Sequence, residues 1–300
     1  MRRIHSQSRR LIDTLSRLWY NNKNIFLVSG MDEKNIVSMD FSRDISVVQA
    51  NELVRSKQDD LSLLEAKLIR LAIGQVLKND TDFRTYSCSI TDLSRFLGIQ
   101  PDNLYTEVQK LGISLMRKAI FVRDTERETR GKPNYKIFHW VDYVEYQSGT
   151  ITIRLSESLR PYLTGLDKLF TMYGYSAILD LPTNYSIRLY ELIASYHNMV
   201  FRPYLREEGT RVAKDSFRFT IEELRTYFSC EKKYPNTADF IKRVIDTATK
   251  AIQLNTDARI SYSIERKGRK ITHIIFKIHG YTDTDYNRAI ELLRDKKNNN

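Results

Sequence analysis

The chain has 300 residues, 41% of them hydrophobic, with a formal net charge of +11 and a pI of about 9.5. That length accommodates two domains with separate cores, and that hydrophobic content excludes a wholly disordered chain. The basic balance points to a polyanionic partner, nucleic acid above all, against the plainer reading of a solvated basic surface. Cys88 and Cys230 sit in no CxxC or Cys/His spacing, so structural zinc is not expected and a reducing, cytoplasmic compartment fits. No apolar run approaches the ~20 residues of a membrane helix.

The first thirty residues are arginine-rich with one acid, Asp13. They read as a basic arm, as a transit-like segment, or as extra translated sequence ahead of Met31 or Met39. The first and third readings are preferred, and the long apolar core of a secretory signal is missing. Ser62 and Glu65 have the spacing of a capping box, and Leu61, Leu64, Leu68 and Leu71 follow at helical period. Ile69, Ala72, Ile73 and Val76 fill the adjacent face, which predicts a helix buried on much of its circumference. A β-prone run, Tyr86–Ile90, precedes a second helix, Asp92–Leu97, started at Ser89-Ile-Thr-Asp92 and ended by Gly98. Pro101 opens a third helix with the stripe Leu104, Val108, Leu111, Leu115, Ala119. Strands are expected at Ile120–Asp124, Tyr135–Tyr146 and Thr150–Leu155, with a charged loop, Thr125–Pro133, between the first two.

The same order returns in the second half. Pro182-Thr183 starts a helix carrying Ile187, Leu189, Leu192, Ile193 and Tyr196. A strand, Phe217–Thr220, leads into a second capping box, Thr220 with Glu223, and a short helix ending at Phe228. After the turn Tyr234-Pro235-Asn236, a long helix carries Phe240, Ile241, Val244, Ile245, Ala248 and Ile252. Strands Arg259–Glu265 and Lys270–His279 close the unit around a tight Arg266–Arg269 turn containing Gly268. Ile90, Asp92, Leu93, Phe96 and Leu97 align with Ile221, Glu223, Leu224, Tyr227 and Phe228 at one constant offset.

Helix, strand, helix, turn, helix, strand, strand, given twice, describes an α+β chain of two tandem winged-helix domains with a pseudo-two-fold internal repeat. The expected division is a basic arm over 1–40, a first domain over 41–165, a second over 166–281 and a polar tail over 282–300. In a winged helix-turn-helix the second helix of the pair can enter the major groove while the hairpin lies on backbone or minor groove. The DNA-facing candidates in the first half are Asn103, Thr106, Gln109, Lys110 and Arg117, which lie away from the leucine stripe. In the second half they are Asn236, Asp239, Lys242, Arg243 and Lys250, the last four sharing a face with Asp246. Arg243 is the preferred base reader, because arginine bonds guanine bidentately; Lys242 and Lys250 suit phosphates. An ordinary solvated helix face is the competing reading of each set. Arg266, Lys267, Arg269 and Lys270 crowd one hairpin tip, where they repel one another unless a phosphate backbone neutralises them. The first loop carries Arg123, Arg127, Arg130 and Lys132, diluted by Asp124, Glu126 and Glu128, so the second wing is the stronger candidate.

From about Val47 to His279 the chain resembles the plasmid replication initiators of the Rep_3 (RepA/RepE-type) family. The likeness is carried by Asn51-Glu-Leu-Val-Arg55 with the stretch Leu61 to Leu68, by Ile187-Arg-Leu-Tyr-Glu-Leu192, and by Phe219-Thr-Ile-Glu-Glu-Leu-Arg225. Most specific are Tyr234, Asn236, Asp239-Phe240, Lys242-Arg243-Val244-Ile245 and Ala248, leading to Asn255-Thr-Asp257 and a wing with Tyr262 and Gly268-Arg269. The sequence departs from the expected acidic pattern at Ala251-Ile-Gln-Leu-Asn255. The resemblance implies binding to direct repeats (iterons) of a plasmid origin as double-stranded DNA, and recruitment of host replication proteins such as helicase and host initiator. It also implies a first domain that forms a homodimer in equilibrium with monomer, with dimers repressing the initiator's own promoter. A winged-helix repressor with no replication role is the alternative.

Enzymatic readings find no support in the motifs. There is no GxxxxGK[ST] phosphate loop and no His-x-His pair beside a tyrosine nucleophile; His5, His139, His197, His273 and His279 are scattered. His273 and His279 fall in a predicted strand and read as structural. No cofactor, metal or catalytic residue is expected, and the mechanism implied is non-covalent.

Overall fold

The structure, a computed structural model, describes residues 36–43, 45–98, 104–123, 134–201, 216–256 and 258–279, with backbone alone at 104–107, 109 and 197–201. Pro101, Asn103, the Thr125–Pro133 loop, the tail 282–300 and the arm up to residue 35 lie outside the described residues. The first half runs β1 (Ile36–Ser38), β2 (Ser46–Ala50), α1 (Asn51–Arg55), β3 (Lys57–Gln58), α2 (Leu63–Gly74), β4 (Thr85–Ser89), α3 (Ile90–Leu97), α4 (Leu104–Leu115), β5 (Ala119–Arg123), β6 (Tyr135–His139), β7 (Val141–Gln147) and β8 (Thr150–Leu155). A joining segment holds α5 (Arg160–Leu163), β9 (Phe170–Gly174) and α6 (Ser176–Leu179). The second half is α7 (Asn184–Phe201), β10 (Ser216–Thr220), α8 (Ile221–Tyr227), a helix here called α9 over 237–255, β11 (Ile260–Lys267) and β12 (Lys270–Ile278).

Local chemistry starts and stops these elements where the sequence places the signals. Ser62 and Thr220 each accept from the backbone N–H three residues on, and Glu65 and Glu223 reach back to the cap N–H, so two otherwise orphaned donors are satisfied at each end. Ser89 caps α3, and Gly98 ends it in the left-handed region (φ 68°) that a side chain would strain. Helix α2 is buried from Glu65 through Ile73, as its apolar circumference predicts. Met39, near the end of the expected arm, is buried in the core.

The second half is a plain winged helix. Its sheet has the order β10-β12-β11, all antiparallel, with Thr220 opposite His273 and Lys267 opposite Lys270. The first half matches it through β4, β8 and β7, in the sheet order β1-β4-β8-β7, with Ser89 opposite Thr150. The strand expected over Tyr135–Tyr146 is in fact two strands in different sheets. β6 pairs with β5, and β5 with β3, whereas β7 pairs with β8. The break falls at Trp140, whose side chain is fully buried and anchors the change of sheet. Ile120–Arg123 therefore belongs to an additional antiparallel pair, β5–β6, and the structural counterpart of the second wing is β7–β8. A further correction concerns α4. It ends at Leu115, so Arg117 lies in the following turn and Ala119 opens β5 rather than extending the leucine stripe.

The joining segment folds back on the first half: β9 pairs with β2, placing Phe170 opposite Ala50 and Gly174 opposite Ser46. Helix α7 then packs against α1, α2 and β9 and also against α9. The buried side chains of the two halves accordingly form one continuous apolar cluster.

Candidate nucleic-acid interface

In the second half the helix pair is set by the turn between α8 and α9. Ser229 (φ 51°) and Tyr234 (φ 52°) bend the chain through the left-handed region. Arg225 holds that bend, donating to the carbonyls of Lys233 (2.8 Å) and Tyr234 (2.6 Å) while its guanidinium lies 4.7 Å from the Phe240 ring centre. Tyr185 of α7 packs edge-on against Phe228 and Tyr234. Asn236 caps α9 through a 2.8 Å bond from the Ala238 N–H.

Helix α9 buries Phe240, Ile241, Val244, Ile245, Ala248 and Ile252, the stripe read from sequence. It is not uniform: Thr237–Phe240 and Thr247–Asn255 are α-helical, and Ile241–Asp246 between them is π-helical. The Thr247 hydroxyl donates to the Lys242 carbonyl five residues back (3.0 Å), as the wider turn allows. Asn236, Asp239, Lys242, Arg243 and Lys250 are all exposed. Their states differ. The Asn236 side-chain oxygen is used by the cap. Lys250 is paired with Asp246 at 2.8 Å, which raises its pKa. Lys242 and Arg243 make no ion pair among the described residues and present unneutralised charge to solvent. Gln253 stands where the departure from the family pattern was noted; its amide donates to the Ile260 carbonyl (2.7 Å) and fastens α9 to β11.

Beside this helix, β11 and β12 continue past the cap of α8. Thr220 faces His273, yet β12 begins three residues earlier at Lys270, so the tip projects by about 10 Å at ~3.4 Å per residue. Gly268 (φ 63°) makes the two-residue turn. Arg266, Lys267, Arg269 and Lys270 are exposed around it and form no ion pair among the described residues. Below the tip, Arg218 is bound bidentately by Glu265 (2.8 and 2.9 Å) and touches His273, so those charges are mutually satisfied. His279 bonds Ser261 at 2.7 Å, a structural use of the ring.

The first half is arranged differently. Its β7–β8 hairpin turns at Ser148-Gly149 and ends with Thr150 opposite both Ser89 and Gln147, level with the cap of α3. Its tip carries no cation. On α4, Thr106 and Gln109 fall within the helix and Lys110 is exposed. Lys110 and Arg117 come together at a groove of about 710 Å³, shared with Lys57, Asp60 and Lys118 and closed by Ser229 and Glu231 of the second half. Lys57–Glu231 (2.6 Å) and Lys233–Asp60 bridge the halves at that place. Arg123, on the added hairpin, is exposed.

Sequence reasoning missed the buried polar residues behind this interface. On α7, Arg188, Glu191 and Ser195 are all at most 3% exposed. Glu191 accepts from Arg70 (2.9 and 3.0 Å), Gln49 (3.0 Å) and the Tyr173 hydroxyl (2.6 Å). Burial alone would push its carboxyl upward, but Arg70 and Arg188 more than reverse this and hold it below the usual range. Burial pushes the thiols of Cys88 and Cys230 up, to about 12 and about 11, so neither is a reactive thiolate. Among the described residues, no three His, Cys, Asp or Glu side chains are grouped to hold a metal, and no helix is long and apolar enough to cross a membrane.

Two family descriptions match the chain: "Initiator Replication protein, WH1" over residues 46–194 and "Initiator Rep protein, WH2" over residues 220–278. The chain is also similar to the "Replication initiation protein" of Escherichia coli, 24% identical over 260 residues that cover 85% of this chain and 74% of that one. Similarity extends to the "PI protein" of Escherichia coli, 22% identical over 263 residues, 80% of this chain and 85% of the relative.

Proposed function

The chain belongs to the Rep3 family of initiator replication proteins, and on that premise we propose that it starts plasmid replication by binding direct repeats of its origin as duplex DNA. The observation that carries this reading is the unneutralised cation set of the second half. Four cations at a projecting tip stand beside an exposed Lys242 and Arg243. A folded protein gains nothing from that crowding, whereas a phosphate backbone releases counterions on meeting it. In the proposed complex α9 enters the major groove, Arg243 reads a guanine, Lys242 and Lys250 meet phosphates, and the wing follows the backbone. Asp239 and Asn236 at the helix start orient the first turn against the groove edge. The first half adds contacts from Asn103, Thr106, Gln109, Lys110 and Arg117. It also supplies the surface through which two copies form the dimer that represses the promoter. The monomer opens the origin by bending it and recruits host helicase and initiator.

The test uses the gene with its flanking DNA on a marker that lacks any other origin. Replication in transformants, together with several direct repeats of about 20 bp protected by the pure protein, supports the reading. Protection of only a single inverted repeat at the promoter, with no replication from a well-expressed gene, overturns it in favour of a simple repressor. Nicking of supercoiled origin DNA in magnesium would overturn the non-covalent mechanism.

A further inference from the structure

We propose that the buried polar stripe of α7, formed by Arg188, Glu191 and Ser195, is the positioning device that sets the spacing at which the two winged halves read DNA; this rests on the reading above that both halves meet one duplex. The three residues recur at intervals of three and four and so occupy one helix face. That face meets the first half along its length. Arg188 donates to the carbonyls of Val54 (3.0 Å) and Ser56 (2.8 Å) at the end of α1, and to Tyr227 (3.4 Å) at the end of α8. The Tyr227 hydroxyl returns a bond to the Arg188 carbonyl (2.8 Å). One guanidinium thereby serves terminal carbonyls of a helix from each half. Glu191 takes the fork of Arg70 from α2, and Arg55 binds both the hydroxyl (2.9 Å) and the carbonyl (2.7 Å) of Ser195.

The neighbouring face of α7 holds the DNA-reading unit. Tyr185 supports the turn before α9, and Tyr196 packs on Phe217 at 4.1 Å and on Phe219 at 5.9 Å, beneath the wing sheet. Whatever fixes the rotation and height of α7 against the first half therefore fixes the second reader too. An apolar seam tolerates sliding and repacking. Directional bonds do not: sliding α7 by one residue displaces it by about 1.5 Å and turns it about 100°, which breaks all three rungs at once. A buried ion pair adds little net stability over an apolar pair of similar volume, so geometric definition is what this stripe supplies. On DNA, one added base pair moves a half-site by about 3.4 Å and turns it by roughly 35°. A rigid joint must refuse such a site; a slack joint accepts it.

The experiment selects bound sequences from a random duplex library with the full chain. Binding is then measured to the selected duplex and to versions with one, two or three base pairs inserted between the segments protected by the two halves. The wild type should lose at least about tenfold in affinity for one inserted pair, the size of a lost base contact. The double variant Arg70→Met with Glu191→Leu removes the buried pair together and leaves the Arg188 guanidinium on the carbonyls of Val54, Ser56 and Tyr227. It should melt cooperatively, keep affinity for the selected duplex within a few-fold, and show an insertion penalty under about threefold. A purely structural role would lower affinity for all duplexes alike. If that pair fails to fold, Arg55→Met with Ser195→Ala, which removes only the outer rung, carries the same expectation. A folded variant that keeps the full wild-type penalty overturns the inference. A wild type indifferent to insertion overturns the premise that both halves grip one duplex, and a wild type that selects no sequence overturns the DNA reading itself.

Discussion

In the first half the β7–β8 hairpin stops level with the cap of α3; in the second, β11–β12 runs three residues beyond the cap of α8 and carries four cations there. The helix caps, the five-residue strands before them and the central pairings are otherwise matched. The first half also holds the added β5–β6 hairpin, stitched to β3, and its α4 surface opens on a groove that the second half closes. A duplicated fold core thus does not imply a duplicated surface. The shared geometry is the part that buries apolar surface, and the difference lies at the hairpin tips and on the surface of α4.

The severest challenge to this comparison is to cut what joins the halves. Glu191→Leu strands the Arg70 guanidinium in the core and should cost about 3–5 kcal/mol, read as a lowered urea midpoint. A single cooperative transition is expected; two separate ones would mean that the halves are independent bodies. Next, replacing Arg266, Lys267, Arg269 and Lys270 by serine should reduce the slope of log affinity against log salt by about 3 to 4, with all sequences weakened alike. An unchanged slope would place the phosphate contacts elsewhere and remove the asymmetry of the wings. Arg243→Ala should cost about 1–3 kcal/mol and relax preference at one base, whereas Arg117→Ala in the first half should change affinity without changing preference. If both altered sequence preference equally, the halves would be equal readers.

Acid offers a gentler probe of the joint. Glu191 is held below its ordinary 4.5, so its contribution to stability is complete above that value and is lost as pH falls through the lower folded value. Wild-type melting temperature should therefore drop as pH is lowered from about 5 to 3, and more steeply than that of Glu191→Gln. Smallest of all, Ser148→Lys should alter DNA affinity by less than about 0.5 kcal/mol, because the first tip does not project. A gain well above that would show the blunt tip already lying against DNA.

Much of this was legible in the chain because it is local. Capping boxes at Ser62 and Thr220, the glycine stop at Gly98, the stripe from Phe240 to Ile252 and the cations about Gly268 each depend on neighbours within a few residues. What escaped is non-local. Tyr135 to Tyr146 has the composition of one strand, and only the distant partners β5 and β8 divide it at Trp140. β2 finds β9 across more than a hundred residues. Arg188, Glu191 and Ser195 have the pattern of a solvated helix face, and only the first half, packed over them, makes that face interior. The exposure of Lys242 and Arg243 was legible because both fall off the apolar stripe of α9.

The π-helical turn at Ile241–Asp246 has a consequence for how this helix changes over generations. Such a turn is the trace of one residue more than an α-helix would hold, accommodated without unwinding. The residues ahead of it and those after it therefore keep separate angular clocks, out of step by most of a residue. Losing a single amino acid there would restore one clock, swinging Arg243 and its neighbours around the axis while Lys250 stayed in place. One codon would be enough to present a different set of side chains on the exposed face of the helix.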